Sequence, residues 1–322
     1  MNILHLNLNG DPAGVNYLLH NALIKNGFNS RHILTSMRCL HNIQQGYDVI
    51  AEQDANKAKE LLDWADILHI NQEINDPFNL GIFYPEKFLK KPFVFHNHGG
   101  YNLLYPELQL STLNSYKKKF PFVVCSPLTK KIIPEAIWLP NICPINDPLY
   151  LPYERRFDKE VKICSKVFST QTRLYKGINV VEEMINVFLK DKWKFPIEYK
   201  VFENLILLET LTKSADFHIC VENLTQGFIG MAGWESLSKG QVVIARLDPI
   251  VKEHYERLGK NCPIIDVTGM DEMCKVIRDL CVDREYLKRK CEEGRKWMEK
   301  YYSEEIIVKK YVKLYEETIK NA

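Results

Sequence analysis

Two basic side chains, Arg173 and Lys176, stand three residues apart in the run STQTRLYKG at positions 169–177. The run follows an apolar segment typical of a β-strand and precedes a segment of helical periodicity. A planar guanidinium and a mobile ammonium in front of a helix can converge on one anion, because free backbone N–H groups and the positive helix end attract the same charge. Taken alone, this spacing is more often a solvated basic turn. In its setting it predicts a phosphate-binding turn.

A glycine-rich loop follows a second apolar run, in the segment ENLTQGFIGMAGWES at positions 222–236. Glycines let the backbone approach a ligand closely and leave N–H groups unshielded for phosphate. Glu235 falls about one turn into the helix that follows, where a carboxylate can accept two hydrogen bonds from a ribose diol. The alternative interpretation makes Glu235 a partner of the helix dipole and the loop a tight turn. The segment on its own supports both equally.

Short apolar runs alternate with helical patterns along the whole chain, which is typical of parallel sheets covered on both faces. The alternation is interrupted at Pro140–Pro152, where Pro, Asn and Asp accumulate and predict a linker. We therefore expect an α/β protein with two doubly wound domains of similar size. Ligands of such sheets bind beyond the carboxyl ends of the strands.

Composition narrows the class of protein. Of the 322 residues, 46% are hydrophobic and 26% charged, which is the balance of a globular protein. The formal net charge of +2 does not indicate nucleic-acid or membrane binding by bulk electrostatics. The nine cysteines form no CxxC pair, and the N-terminal segment lacks the pattern of a signal peptide. We expect a cytoplasmic protein without disulfides or a structural zinc ion.

Five motifs in order resemble the retaining GT-B glycosyltransferases of family 4, over nearly the whole chain. STQTRLYKG is similar to the phosphate motif SxxxRxxKG of one branch, and GFIGMAGWESLSKGQVVIA to its donor loop. In the first half, ADILHIN, KPFVFHNHGG and FVVCSPLTKKIIPEAIWLPN match the family's strand, His-Gly loop and Pro-Asn linker. The resemblance implies a GT-B fold, with two Rossmann-like doubly wound domains facing across a cleft.

The resemblance also implies roles for individual residues. Arg173 and Lys176 would bind the donor diphosphate and stabilise the leaving group, and Glu235 would hold the nucleotide ribose. His98 would lie beside the transferred sugar, with His96 as the competing candidate. The remaining donor-binding positions are Gly14, Glu222, Gly227, Phe228 and Gly230.

One position departs from the family pattern. Many relatives carry a first glutamate eight residues before the second, next to the donor sugar, and that position is Gly227 here. Glu222 aligns with an acidic residue of the branch. The departure leaves the donor sugar open, while it does not touch the residues assigned to the leaving group.

The implied reaction is metal-independent and retaining transfer of a sugar from a UDP- or GDP-type donor to a hydroxyl acceptor, with no cofactor. Residues 1–148 would form the acceptor-side domain and 149–304 the donor domain, with a C-terminal helix at about 305–322 packing back on the first. Alternatives are a sugar-nucleotide epimerase or hydrolase on the same fold, a glycosyltransferase acting on a modified DNA base, and a non-catalytic nucleotide-sugar binding protein.

A lysine-rich stretch between residues 86 and 131 bears on the acceptor. It holds eight lysines against two acids, with aromatic residues between them. Lys117, Lys118 and Lys119 are candidates for peripheral contact with an anionic membrane face, and hence for a glycolipid or cell-surface glycan acceptor. A DNA acceptor ranks lower, and solvated surface lysines are an equally good explanation.

Overall fold

The computed structural model describes residues 1–7, 14–34, 47–72, 91–97, 121–192 and 196–322. Within them the chain divides into two compact units, Met1–Ile142 with Glu304–Ala322, and Cys143–Ser303. We refer to these as the first and second units. Both are built on parallel sheets, so the expected α/β class is confirmed.

The first unit contains a seven-stranded parallel sheet in the order β3-β2-β1-β4-β5-β6-β7. Its strands are β1 (Asn2–Asn7), β2 (Asn29–Leu34), β3 (Val49–Ile50), β4 (Ile67–Gln72), β5 (Phe93–Asn97), β6 (Phe122–Val124) and β7 (Ile137–Trp138). Two helices in this part of the chain are α1 (Val15–Lys25) and α2 (Ala55–Trp64), and short 3₁₀ turns lie at Pro127–Lys131 and, in the second unit, at Pro148–Tyr150.

The second unit contains a five-stranded parallel sheet in the order β12-β11-β10-β8-β9. Its strands are β8 (Val161–Val167), β9 (Ile197–Glu203), β10 (Ile219–Val221), β11 (Val242–Ala245) and β12 (Ile265–Asp266). Its helices are α3 (Thr170–Tyr175), α4 (Ile178–Met184), which continues as a π-helix over Ile185–Lys192, α5 (Leu207–Lys213), α6 (Met231–Ser238), α7 (Pro249–Leu258), α8 (Met270–Val282) and α9 (Arg284–Tyr301). Helix α10 (Glu304–Lys320) belongs to the first unit.

The two faces of the first sheet differ in chemistry. Leu4 and Leu68 belong to an apolar cluster with Leu61 of α2. Alternate positions carry buried histidines instead, and His5 of β1 pairs in register with His32 of β2 and His69 of β4. Because successive strand residues point to opposite faces, the unit has one apolar layer and one layer of imidazoles.

The histidine layer is connected by ring contacts and hydrogen bonds. The rings of His5 and His69 lie 5.0 Å apart, and those of His69 and His96 lie 5.1 Å apart. Nδ1 of His69 is 2.7 Å from the hydroxyl of Tyr315 on α10, and Nε2 is 3.1 Å from Nδ1 of His96. Burial keeps the pKa of His5 well below its ordinary value. The buried position of His5 therefore favours a neutral imidazole.

The sheet order of the second unit contains a switch point. Strands β9, β8, β10, β11 and β12 lie side by side, and the order reverses between β8 and β10. Helices α3 and α4, with the π-helix, connect β8 to β9, whereas α6 connects β10 to β11 and α7 connects β11 to β12. In open parallel sheets, ligands bind outside the carboxyl ends of the two strands at such a switch point. The residues that follow Val167 and Val221 are therefore placed to meet a ligand.

Some element bounds differ from those expected from the sequence. A run of apolar residues predicts a strand over 136–139, but only Ile137–Trp138 pairs with β6. The segment of Asp63 and Asp66 reads as helical, whereas α2 ends at Trp64 and a carboxylate oxygen of Asp66 accepts the backbone N–H of Asn2 at 2.7 Å. The bounds of β7 follow from its pairing with β6, and the segment after α2 is fixed by the contact of Asp66 with Asn2.

Candidate functional site

The turn between β8 and α4 carries the basic pair. Ser169 caps α3, and its Oγ accepts the N–H of Thr172 at 3.2 Å. Lys176 ends this short helix, and Gly177 follows with φ of +72° as the N-cap of α4. A Cβ on Gly177 would lie 2.9 Å from Cγ2 of Thr225, so the position requires glycine for both conformation and space. The sequence predicts the strand before this turn and the helix after it, but it does not predict the short helix α3 within the turn.

Arg173 is surrounded by acceptors. Its guanidinium donates to Oε2 of Glu203 at 3.1 Å, to Oε2 of Glu182, and through Nε to the amide oxygen of Asn179. Its side chain is 19% exposed. A guanidinium has five N–H donors, so two remain beyond these three contacts. The two carboxylates neutralise the charge that a phosphate would meet.

Lys176 is held at the carboxyl end of β10. Its Nζ donates to Oε1 of Glu222 and lies 3.4 Å from the carbonyl oxygen of Lys166. An ammonium has three N–H donors, so one remains for a further acceptor. The side chain of Glu222 is fully buried, and its Oε2 has no hydrogen-bond partner among the described residues. Lys176 and Glu222 thus form a buried ion pair at the switch point.

The loop after β10 is tied to this turn. The N–H of Leu224 donates to the carbonyl of Lys176 at 3.2 Å, and Thr225 Oγ1 donates to the carbonyl of Tyr175. The side-chain oxygen of Asn223 accepts the N–H of Thr225 at 3.1 Å and that of Gln226 at 3.0 Å. The basic turn and the glycine loop therefore form one folded body.

The two predicted glycines of the donor loop, Gly227 and Gly230, differ in what a side chain would meet. Gly227 has φ of +83°, and a Cβ there would lie 3.2 Å from Cβ of Asp248. Gly230 precedes α6, and a Cβ there would lie 3.5 Å from Oε1 of Glu222. Phe228 between them is half-buried. A glutamate at Gly227, as in the family pattern, is incompatible with this backbone.

Glu235 lies in α6 and is 6% exposed. Its carboxylate accepts no hydrogen bond from the described residues, and burial raises its pKa, an effect opposed first by the charge of Lys166 and then by Lys176 and Lys239. A carboxylate without hydrogen-bond donors, at a switch point, can accept two hydroxyl groups of a ligand.

The remaining predicted residues belong to the first unit or lie outside the description. Gly14 is the left-handed N-cap of α1, with φ of 64°. His96 is 1% exposed within the histidine layer, where its ring lies 5.9 Å from that of Tyr311. His98 lies outside the described residues, as do Lys117, Lys118 and Lys119.

Three participants in the site cannot be found from the sequence motifs. Glu182 and Glu203 bind Arg173, and Lys166 lies buried beneath α6 with its Nζ 2.9 Å from Oγ of Ser236. The one signal for Lys166 is a lysine within the apolar run VKICSKVF at 161–168. Within the described ranges, no three His, Cys, Asp or Glu side chains are grouped so as to hold a metal ion. Nor does any helix of that part of the chain have the length and apolar character to cross a bilayer.

Several solved structures match the fold of this chain. Sucrose-phosphate synthase from Thermosynechococcus elongatus matches with a TM-score of 0.65 at 11% identity, covering 100% of both chains. Anabaena HepE in complex with UDP-glucose matches with a TM-score of 0.66 at 12% identity, over 98% of this chain and 100% of that one. A glycosyltransferase from Rickettsia africae matches at 0.62 and 16% identity, over 100% and 99%. No family model and no curated protein matches the chain. The predicted fold class is confirmed: the chain has the α/β fold of GT-B glycosyltransferases.

Proposed function

We propose that the protein is a glycosyltransferase that moves a sugar from a nucleoside diphosphate sugar to a hydroxyl acceptor. The observation that carries this proposal is the joint placement of Lys176 and Glu235 at the switch point of the second unit, in a GT-B fold. Among structures of this fold, HepE was solved with UDP and with UDP-glucose. A donor of the same class fits a cation and a carboxylate placed together.

The chemistry follows from the charges. Transfer breaks the bond between the anomeric carbon and a phosphate oxygen, so negative charge grows on the diphosphate. The remaining N–H donor of Lys176 and the two of Arg173 are assigned to stabilise that charge, which needs no protein nucleophile. The finer proposal is retention of anomeric configuration without a metal ion. Glu235 accepts the ribose hydroxyls.

The two cations are not equivalent in this proposal. Arg173 is opposed by two carboxylates, Glu182 and Glu203, whereas Lys176 has one, Glu222. The charge of Lys176 is therefore balanced by its partner, whereas that of Arg173 is exceeded by its two partners, so a bound diphosphate meets less repulsion at Lys176 than at Arg173. We expect Lys176 to supply the larger share of the leaving-group stabilisation.

The acceptor side of the proposal rests on the family resemblance. The first unit would bind a carbohydrate, a cell-surface glycan or a glycolipid precursor at the cytoplasmic membrane face. Sedimentation with phosphatidylglycerol liposomes tests this, comparing the wild type with the variant that carries serine at Lys117, Lys118 and Lys119. Equal sedimentation of the two proteins would remove the membrane proposal.

Donor binding and turnover test the function. Thermal shift with UDP and GDP, and with their glucose and mannose conjugates, should show stabilisation that Lys176→Ala and Glu235→Gln remove and Arg173→Ala reduces. Arg156→Ala is the matched control, because Arg156 pairs only with Asp158 on the exposed surface among the described residues. Mass spectrometry of the sugar product with hydroxyl acceptors then identifies transfer, and proton NMR of the new linkage gives its configuration. Absence of binding by every nucleotide would refute the proposal.

A second candidate is a non-catalytic nucleotide-sugar binding protein. It is favoured by the carboxylates on Arg173 and by Gly227, which removes the family's carboxylate beside the donor sugar. Both candidates bind the donor, but only the enzyme consumes it. Donor consumption over hours with a mixture of sugar and lipid acceptors separates them.

A further inference from the structure

Lys166 is a buried ammonium near the carboxyl end of β8. Its side chain is 3% exposed, and its Nζ donates to Oγ of Ser236 at 2.9 Å and to Oε1 of Gln241 at 3.1 Å. Both acceptors are neutral, and no carboxylate of the described residues forms a salt bridge with it. A charge in this environment is costly, and proteins keep one only where another charge compensates it.

The residue next to Ser236 supplies an opposite charge. Glu235 is 6% exposed, and its carboxylate accepts no hydrogen bond from the described residues. The hydrogen bond from Lys166 to Ser236 fixes the position of this turn of α6 relative to β8. Lys166 is the strongest of the charges that oppose the rise in the pKa of Glu235 on burial.

We propose that Lys166 is a positioning residue that keeps the carboxylate of Glu235 ionised and fixes the turn of α6 that presents it to a ribose diol. The proposal rests on the donor site described above. An ionised carboxylate has two acceptor oxygens for the 2′- and 3′-hydroxyls, whereas a protonated one gives up part of this capacity to its own O–H. Without Lys166, a buried Glu235 takes up a proton more readily.

The other charged groups that face Glu235 are already engaged. Lys176 donates to Glu222, whose own charge favours protonation of Glu235. Lys239 donates to the carbonyl of Leu149 at 2.6 Å, and burial lowers its pKa to about 8. Lys166 differs from Lys176 because it is bonded only to neutral groups among the described residues, and from Lys239 because its charge acts more strongly on Glu235. Experiments between pH 5 and 7 keep Lys239 protonated.

Calorimetry with two nucleotides tests the proposal. UDP and 2′-deoxy-UDP differ only in one of the two ribose hydroxyls that Glu235 is assigned to bind, so the ratio of their affinities cancels the titration of the phosphate. Lys166→Met and Lys166→Gln should each lower the preference for UDP at pH 6 by about tenfold, the effect of losing one hydrogen bond to an ionised group. The preference should return as pH rises toward 7. Lys166→Gln keeps a polar group for Ser236 and Gln241, in case Lys166→Met does not fold.

Lys162→Met is the matched control. Lys162 lies on the same face of β8, but its Nζ pairs with Asp216 at 2.6 Å, and its side chain is 30% exposed. We expect this variant to keep the wild-type nucleotide preference and pH profile. An unchanged preference in both Lys166 variants would overturn the proposal.

A second measurement does not depend on nucleotide binding. The ¹³Cδ resonance of Glu235, assigned by its loss in Glu235→Gln, reports the titration of the carboxylate directly. Its midpoint should move to higher pH in Lys166→Gln and stay in place in Lys162→Met. If no nucleoside diphosphate binds to the wild type while this midpoint moves, the donor-site assignment fails and the effect of Lys166 on Glu235 stands. If the midpoint does not move, the proposal for Lys166 fails.

Discussion

Nζ of Lys176 donates to Oε1 of Glu222, and the side chain of Glu222 is fully buried while that of Lys176 is 13% exposed. The second carboxylate oxygen of Glu222 has no hydrogen-bond partner in the described part of the chain. The ammonium thus compensates a buried negative charge. In the proposed donor site the same ammonium also meets a diphosphate, so we expect both stability and donor binding to depend on it.

Removing the cation from this pair should cost more stability than removing the anion. Lys176→Met leaves Glu222 buried without its partner, and we expect a loss of about 3 kcal/mol in the free energy of unfolding. Glu222→Gln leaves an ammonium that is partly exposed and can reach water, so this variant should lose less free energy of unfolding than Lys176→Met. Urea denaturation of both single variants and of the double variant gives the coupling energy. A coupling energy below about 0.5 kcal/mol would show that the two charges are independent.

Gly227 should be far less tolerant of a side chain than a glycine of equal φ in open surroundings. Gly27 and Gly227 both have φ of +83°, but a Cβ on Gly27 meets nothing within 4 Å. Gly27→Ala should cost about 1 kcal/mol for the backbone conformation alone. Gly227→Ala should cost about 2 kcal/mol or more, because Asp248 must also move.

The conformation of Gly227 also determines whether a glutamate can be placed in the proposed donor site. Gly227→Glu restores the residue of the family pattern, but on this backbone it should destabilise the protein without improving donor binding. Denaturant midpoints and nucleotide thermal shifts measure the two effects separately. A stable Gly227→Glu variant with tighter donor binding would show that the loop adopts the family's conformation.

Local sequence pattern was sufficient to predict much of the fold and some of the elements that carry the candidate site. The apolar run at Val242–Ala245 predicts strand β11 with its observed bounds, and the glycine loop predicts the start of α6. Strand β3 at Val49–Ile50 could not be found, since two residues become a strand only through pairing with β2. The buried charge of Lys166 is likewise visible only in three dimensions. A sequence pattern shows which residues are basic, but not which carboxylates the fold brings to them.

Arg155 should be one of the costliest substitutions in the second unit that leaves the donor residues untouched. Its guanidinium donates to four carbonyl oxygens at 2.6–3.0 Å, those of Phe217, Gly240, Ala215 and Lys239. Arg155→Met leaves these acceptors without their donor, and we expect a loss of about 3 kcal/mol or more. Arg155→Lys should recover only part of it, because an ammonium lacks the planar fork.

The neighbouring arginine provides the control. Arg156 is exposed and pairs with Asp158 across 3.0 Å, so Arg156→Met should leave the urea midpoint unchanged. Equal midpoints for Arg155→Met and Arg156→Met would mean that water replaces the four hydrogen bonds of Arg155 without loss.

The histidine layer should make the first unit lose stability in mild acid. Burial lowers the pKa of both His5 and His20, so the folded unit takes up these protons at lower pH than the unfolded chain, which is protonated as pH falls below about 6.5. Stability is therefore complete above that pH, and below it each histidine removes at most about 1.4 kcal/mol per pH unit, until the folded unit itself takes up the proton. His20 is also influenced by Asp48 and Arg31, and His5 by His32 and His69.

Hydrogen exchange read by mass spectrometry distinguishes the units in this test. Between pH 7.5 and 5.5, after correction for intrinsic exchange, protection of β1, β4 and α1 should fall steeply. His5→Leu should reduce the pH dependence of protection by the contribution of one titrating group, because leucine fits the buried position and does not titrate. In the second unit, burial lowers the pKa of His218 to about 4. His218→Asn should therefore reduce the pH dependence of protection in the second unit and leave that of the first unit unchanged. A slope in the first unit that His5→Leu does not alter would place the acid sensitivity elsewhere.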